Sequence, residues 1–201
     1  MSAPMDPENV FGWLDQIQKR PGMYLGETTR PLEDLQALVQ GYTAALHVHG
    51  LVESVPSMVH FSTWLRHKTS WSTACGWAHA ITTRAKLDSA LATFFSLVAE
   101  FRTLVPTTLA TVPLSERNQP TGKRAKIGFE GRLARPDQID VLQYVPEPIH
   151  FLRFHHGPRL VDQHTLYTTS GSDSTTLSLA KEWVRDEFSV EPTDWQDQRV
   201  H

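Results

Sequence analysis

The sequence predicts an α+β fold: an N-terminal helical bundle, then a small antiparallel β-sheet with a packed C-terminal helix. Three observations predict it. Over the first hundred positions apolar residues recur every three or four residues, the period of a helix face. Pro106, Pro113, Pro120 and Pro136 then interrupt any helix across 105–136. Beyond them come short stretches that alternate apolar and polar residues, bounded by glycine-containing turns, and one last helical stripe.

In the first part, 1–104, Asp6-Pro7 supplies a cap and a first-turn proline, and Phe11, Leu14 and Ile17 share one face. Pro21-Gly22 ends that helix. A second helix starts at Pro31, with Thr29 near its cap, and runs to Gly50. Its apolar face is Leu32, Leu35, Val39, Tyr42 and Leu46. Phe61, Trp64 and Leu65 mark a third helix, and Trp71, Ala74, Ala78 and Ile81 a fourth. The clearest stripe is Leu87, Leu91, Phe94, Phe95, Val98 and Phe101, the pattern of a bundle helix turned to a core.

The 105–136 stretch reads as an irregular linker or as the start of the second part. Thr107-Thr108, Thr111-Val112 and 127–129 are possible strand pieces within it. In the second part, 137–201, Ile139 to Val145, Ile149 to Phe154 and Leu160 to Thr169 read as strands. Turns fall at His156-Gly157-Pro158 and Gly171-Ser172-Asp173. Thr175 or Thr176 caps a final helix through Leu179, Ala180, Trp183, Val184 and Phe188. The tail with Pro192 and Trp195 is expected to fold back onto that helix.

Composition narrows the function classes. With 40% hydrophobic residues the chain can bury a core, and a formal net charge of -3 gives no whole-protein attraction to nucleic acid or an anionic membrane. A lone cysteine, Cys75, excludes an internal disulfide and a multi-cysteine metal site, and fits a reducing compartment. The N-terminal residues lack the basic-then-apolar pattern of a signal peptide, and no apolar run nears the ~20 residues of a membrane span. A cytoplasmic location without membrane contact is therefore expected.

The string Lys19-Arg20-Pro21-Gly22-Met23-Tyr24-Leu25-Gly26 is the most distinctive in the chain. Taken mechanically, Pro21 ends a helix, Gly22 permits an unusual backbone angle, and Met23, Tyr24 and Leu25 plug the turn into the core. The string resembles one near the N-terminus of the gyrase B family. There the helix that follows carries a Glu, an Asn and an Asp for ATP. The helix here, LEDLQALVQGYTAALHVHG, has no Asn and no acidic residue on its later turns, and no Asp-x-Gly-x-Gly follows, so an ATPase is rejected.

A longer resemblance covers residues 8 to 102. With Gly41-Tyr42, Phe61, Trp64-Leu65, Gly76-Trp77, Ile81, Phe94-Phe95, Leu97 and Glu100-Phe101, the chain resembles small bacterial proteins found beside polymorphic toxin genes and read as immunity proteins. The resemblance implies a helical module and, for function, stoichiometric neutralisation of a cognate cytoplasm-acting toxin domain. No cofactor and no catalytic residue is expected.

The remaining chemistry-bearing residues point mostly to ordinary structure. His47 and His49 are two apart near a helix end and splay, as do His155 and His156 before a turn, and no carboxylate completes a metal pattern. Cys75 and His79 lie one helical turn apart, but small neighbours suggest a buried, inert thiol. A basic cluster at Arg117, Lys123, Arg124, Lys126, Arg132 and Arg135 is the basis of an alternative reading, a nucleic-acid-binding or regulatory module. An enzyme with an unrecognised site is a further alternative. The C-terminal acids Glu182, Asp186, Glu187, Glu191, Asp194 and Asp197 could mimic nucleic acid toward a basic nuclease. From them and their aromatic neighbours come the expected partner-binding residues: Trp183, Glu187, Asp194 and Trp195, with Trp183 equally suited to a core.

Overall fold

A computed structural model describes residues 10–49, 56–85, 89–123, 135–145, 149–157, 160–165 and 177–197. The fold is α+β. The chain divides into two compact units, Met1–Leu104 and Val105–His201.

The described part of the first unit is helical. Helix α1 (Val10–Lys19) buries Val10, Phe11, Leu14 and Ile17, the face expected from their spacing. Helix α3 (Pro31–Val48) buries Leu32, Leu35, Val39 and Leu46. Tyr42, on the same stripe, is half-exposed and stacks on Trp13 of α1 with ring centroids 5.4 Å apart. Helices α4 (Phe61–Thr69), α5 (Trp77–Arg84) and α6 (Ala90–Phe101) enclose an aromatic core. Phe61 meets Trp77, Phe94 and Phe101 edge-on at 5.7, 5.7 and 5.3 Å, while Trp77 stacks on Phe94 at 4.5 Å. Each such ring pair contributes about 0.5–1.5 kcal/mol beyond its buried area.

Three expectations for this unit are corrected. The fourth helix begins at Trp77, not Trp71. Gly76, at φ 93°, turns the chain into it, and Gln36 of α3 accepts the Ala78 N–H at 2.9 Å. Cys75 therefore precedes the helix and is exposed, because a turn and not a packed face carries it. Third, Met23-Tyr24-Leu25 does not plug into the core. Pro21–Leu25 forms a short helix, α2, that buries none of its residues. The unusual backbone angle falls at Gly26, φ 64°, whose N–H closes the helix on the Gly22 carbonyl at 3.1 Å. Leu87, assigned to the stripe of α6, and the expected caps at Asp6-Pro7 and Gly50 lie outside the described residues.

The second unit holds an antiparallel sheet of order β4-β3-β2-β1-β5. Its strands are β1 (Val105–Pro113), β2 (Gln138–Val145), β3 (His150–His156), β4 (Leu160–Thr165) and the two-residue β5 (Gln196–Asp197). Alternation sorts the sheet faces. Ala110, Val112, Ile139, Val141, Leu152 and Phe154 form one buried cluster with Ala180, Val184 and Phe188 of α7 (Leu177–Phe188). β1 tolerates two prolines because they stand at its second and last positions, and its register shifts between Thr108 and Ala110. The caps expected at Thr175 or Thr176, and the strand residues beyond Thr165, lie outside the described residues. Among those residues, no helix is long and apolar enough to cross a membrane.

The stretch after β1 has a definite task. The last carbonyls of a helix lack intrahelical donors, and this segment supplies several of them to α7. Thr121 donates its hydroxyl to the Asp186 carbonyl at 2.8 Å and its N–H to that of Glu187 at 2.7 Å. Asn118, buried, donates Nδ2 to the Phe188 carbonyl at 3.1 Å. The Ser189 N–H takes the Arg185 carbonyl at 2.8 Å, with Ser189 itself in the left-handed region at φ 53°. The segment thus fixes the end of the helix from which the C-terminal tail departs.

Candidate functional site

From Ser189 the chain turns back along α7. Val190 is buried beneath the turn. Pro192–Asp194 then makes one 3-10 turn closed by a reciprocal cap: the Glu191 side chain accepts the Asp194 N–H, and the Asp194 carboxylate accepts the Glu191 N–H at 3.0 Å. Trp195 follows, and β5 pairs with β1 through Ala110–Asp197 and Thr111–Gln196. Between helix and returning tail lies an open groove of about 350 Å³. Lys181, Glu182 and Arg185 line the helix side, and Val190, Pro192 and Trp195 the tail side.

Charges in and around the groove are matched pairwise. Lys181 pairs with Asp197 and stands 5.2 Å from the Trp195 ring centre, in cation–π contact. Arg185 reaches Glu182 at 3.7 Å and Asp186 at 3.5 Å. Arg117 donates to Asp194 at 2.8 Å. The acidic tail is therefore no bare anionic surface. Cations on α7 and on the loop after β1 face Glu182, Asp186, Asp194 and Asp197, most of the acids expected to mimic nucleic acid. What the groove presents is a half-exposed indole framed by paired charges.

The four residues expected to contact a partner have different surroundings. Trp195 forms a wall of the groove. Asp194 is spent on Arg117 and on the cap of its own turn. Trp183 packs against Phe154 and Phe188 at 6.1 and 6.3 Å and so belongs chiefly to the sheet–helix core. Glu187 is wholly buried and accepts the Gly122 N–H at 2.8 Å, an internal tie and not a surface acid. Lys181 and Arg185 are the groove's cationic members.

No protein-family model, curated protein or solved structure matches the chain.

Two further constellations lie elsewhere in the fold. Trp71, Cys75, His79 and Arg84 border a cavity of about 160 Å³, in which the His79 Nε2 lies 3.5 Å from the Thr83 hydroxyl. On the sheet, Asp140 gathers three neighbours. Its Oδ2 meets His155 Nε2 at 2.8 Å, and its Oδ1 accepts from Thr111 Oγ1 and Gln138 Nε2, both at 2.9 Å. Sequence reading missed this cluster, since its members come from three strands. The available signal was the alternation that sets Gln138 and Asp140 on one face of β2, opposite His155 and Arg153 of β3. Among the described residues, no three His, Cys, Asp or Glu side chains could together hold a metal ion. Of the basic cluster, Arg117 is ion-paired, Arg135 donates to the Leu114 carbonyl at 3.3 Å, and Lys123 is exposed. Arg124, Lys126 and Arg132 lie outside the described residues.

Proposed function

We propose that this chain acts by binding and not by catalysis: it is an immunity protein that neutralises a cytoplasm-acting toxin domain through a stoichiometric complex, with the groove between α7 and its tail in the contact surface. The observation that carries the binding reading is Trp195. A large aromatic residue is held half-exposed at a groove by a capped turn, a strand pairing and a cation–π contact, so little side-chain freedom is lost when a partner closes over it. Rigid aromatic anchors of this kind dominate protein interfaces. The paired charges around it suit an interface rim, where they tune association rate and register. The toxin as partner rests on the likeness of residues 8 to 102 to immunity proteins.

The test is a search of the neighbouring genes for a toxin domain, followed by a titration of the purified chain with that purified domain. The reading predicts a one-to-one complex, loss of toxin activity on complex formation, and weakening of both by Trp195→Ala. Absence of binding, or binding with undiminished toxicity, ends it.

A further inference from the structure

Helix α2 is unusual in what it leaves outside. A five-residue helix ordinarily persists because it buries a face, yet Pro21–Leu25 has no fully buried residue, only Pro21 and Leu25 being half-buried. Instead it is framed covalently and by backbone bonds. Pro21 stands in its first turn, the Met23 N–H bonds the Arg20 carbonyl at 3.0 Å, and Gly26 closes it on Gly22. Within that frame Met23 is 72% exposed and Tyr24 37% exposed. Beside them in sequence, at the end of α1, Lys19 and Arg20 are exposed, and neither forms an ion pair among the described residues. Of the acids on α1, Asp15 is engaged with Arg102 at 3.0 Å.

We propose that Lys19, Arg20, Met23 and Tyr24 form a docking surface for an acidic protein segment that carries an apolar side chain. The two cations complement carboxylates. The thioether of Met23 adapts to apolar shapes, and the tyrosine adds a rigid ring with a polar tip. Because the backbone is already fixed, presenting these side chains costs little ordering entropy. Nucleic acid fits less well: the phosphate backbone calls for many cations, whereas two stand here on a chain of formal net charge -3. This surface goes beyond the α7 groove and stands or fails separately from the toxin reading.

The test uses the full chain labelled with ¹³C at its methionine methyls. The probes are a synthetic peptide of alternating Glu and Leu, the same peptide with Lys for Glu, and a single-stranded DNA oligonucleotide. The acidic peptide, at up to about 1 mM for a weak contact, is expected to shift the exposed Met23 methyl and leave the buried Met58 methyl unmoved. The variant K19E/R20E, altered only at exposed side chains, should weaken that binding by about tenfold or more, as should about 1 M salt. Met23→Ala should weaken it without altering the thermal unfolding midpoint. The proposal is overturned if the Met23 methyl does not respond, if charge reversal leaves the affinity unchanged, if the basic peptide binds equally well, or if the oligonucleotide binds this surface more tightly.

Discussion

The Asn118 side chain donates Nδ2 to the Phe188 carbonyl at 3.1 Å, seventy residues along the chain, and so helps to cap α7 from outside the helix. Thr121 serves the two preceding carbonyls. Asn118→Ala is expected to lower stability by about 1–2 kcal/mol, since a buried carbonyl loses its donor. Urea unfolding measures this. Hydrogen exchange should localise the loss to the last turn of α7, with α3 unaffected.

Glu187 separates a structural acid from an interface acid. Its burial and its bond from the Gly122 N–H predict that Glu187→Ala costs about 1–3 kcal/mol of folding free energy. The affinity of the folded variant for its partner should match that of the parent chain. A loss of affinity at full stability would instead place Glu187 in the interface.

The two C-terminal tryptophans should part company. Trp183→Ala removes a ring packed on Phe154 and Phe188, and is expected to cost about 2–3 kcal/mol in denaturant unfolding. Trp195→Ala removes a ring that is only partly buried against the same cluster and should cost less, about 1–2 kcal/mol, while weakening partner binding by about thirtyfold, the scale of an aromatic hot spot.

A fourth prediction concerns the entry to α5. At Gly76 the backbone sits at φ 93° and ψ 163°, a region almost reserved for glycine. A Cβ there would lie 2.6 Å from Gln36 Oε1 and 2.9 Å from its Cδ. Gly76→Ala should destabilise by about 1–3 kcal/mol through backbone strain, and further by displacing the Gln36 cap, worth about 1 kcal/mol. Gln36→Ala alone should cost about 1 kcal/mol. The double variant should lose less than the sum, because the second change removes what the first has already displaced.

Much of the first unit could be read from residue spacing. Phe11, Leu14, Ile17, Leu35, Val39, Phe94, Val98 and Phe101 are buried as their periodicity implied, since a helix repeats its face locally. Spacing could not tell whether a short segment folds inward. Met23 and Tyr24 look like core residues by type, but a proline–glycine frame holds them out. The task of 105–123 was hidden for a different reason. Its side chains satisfy carbonyls some seventy positions later, and no local pattern encodes so distant a partner. The same limit applies to the candidate site. Trp195 was identifiable as an anchor by type, but Arg117, which neutralises Asp194, and Asp197, which engages Lys181, come together only through the return of the tail to the sheet edge. An acidic run thus became a charge-paired surface.

The central claim is most directly tested by isothermal titration calorimetry of the full chain with a toxin domain taken from a neighbouring gene, the Trp195→Ala variant run in parallel. The account predicts one-to-one binding with an affinity at or below about 1 µM, and heat that falls markedly in the variant. No heat with the parent chain across that concentration range, or identical isotherms for parent and variant, would contradict it.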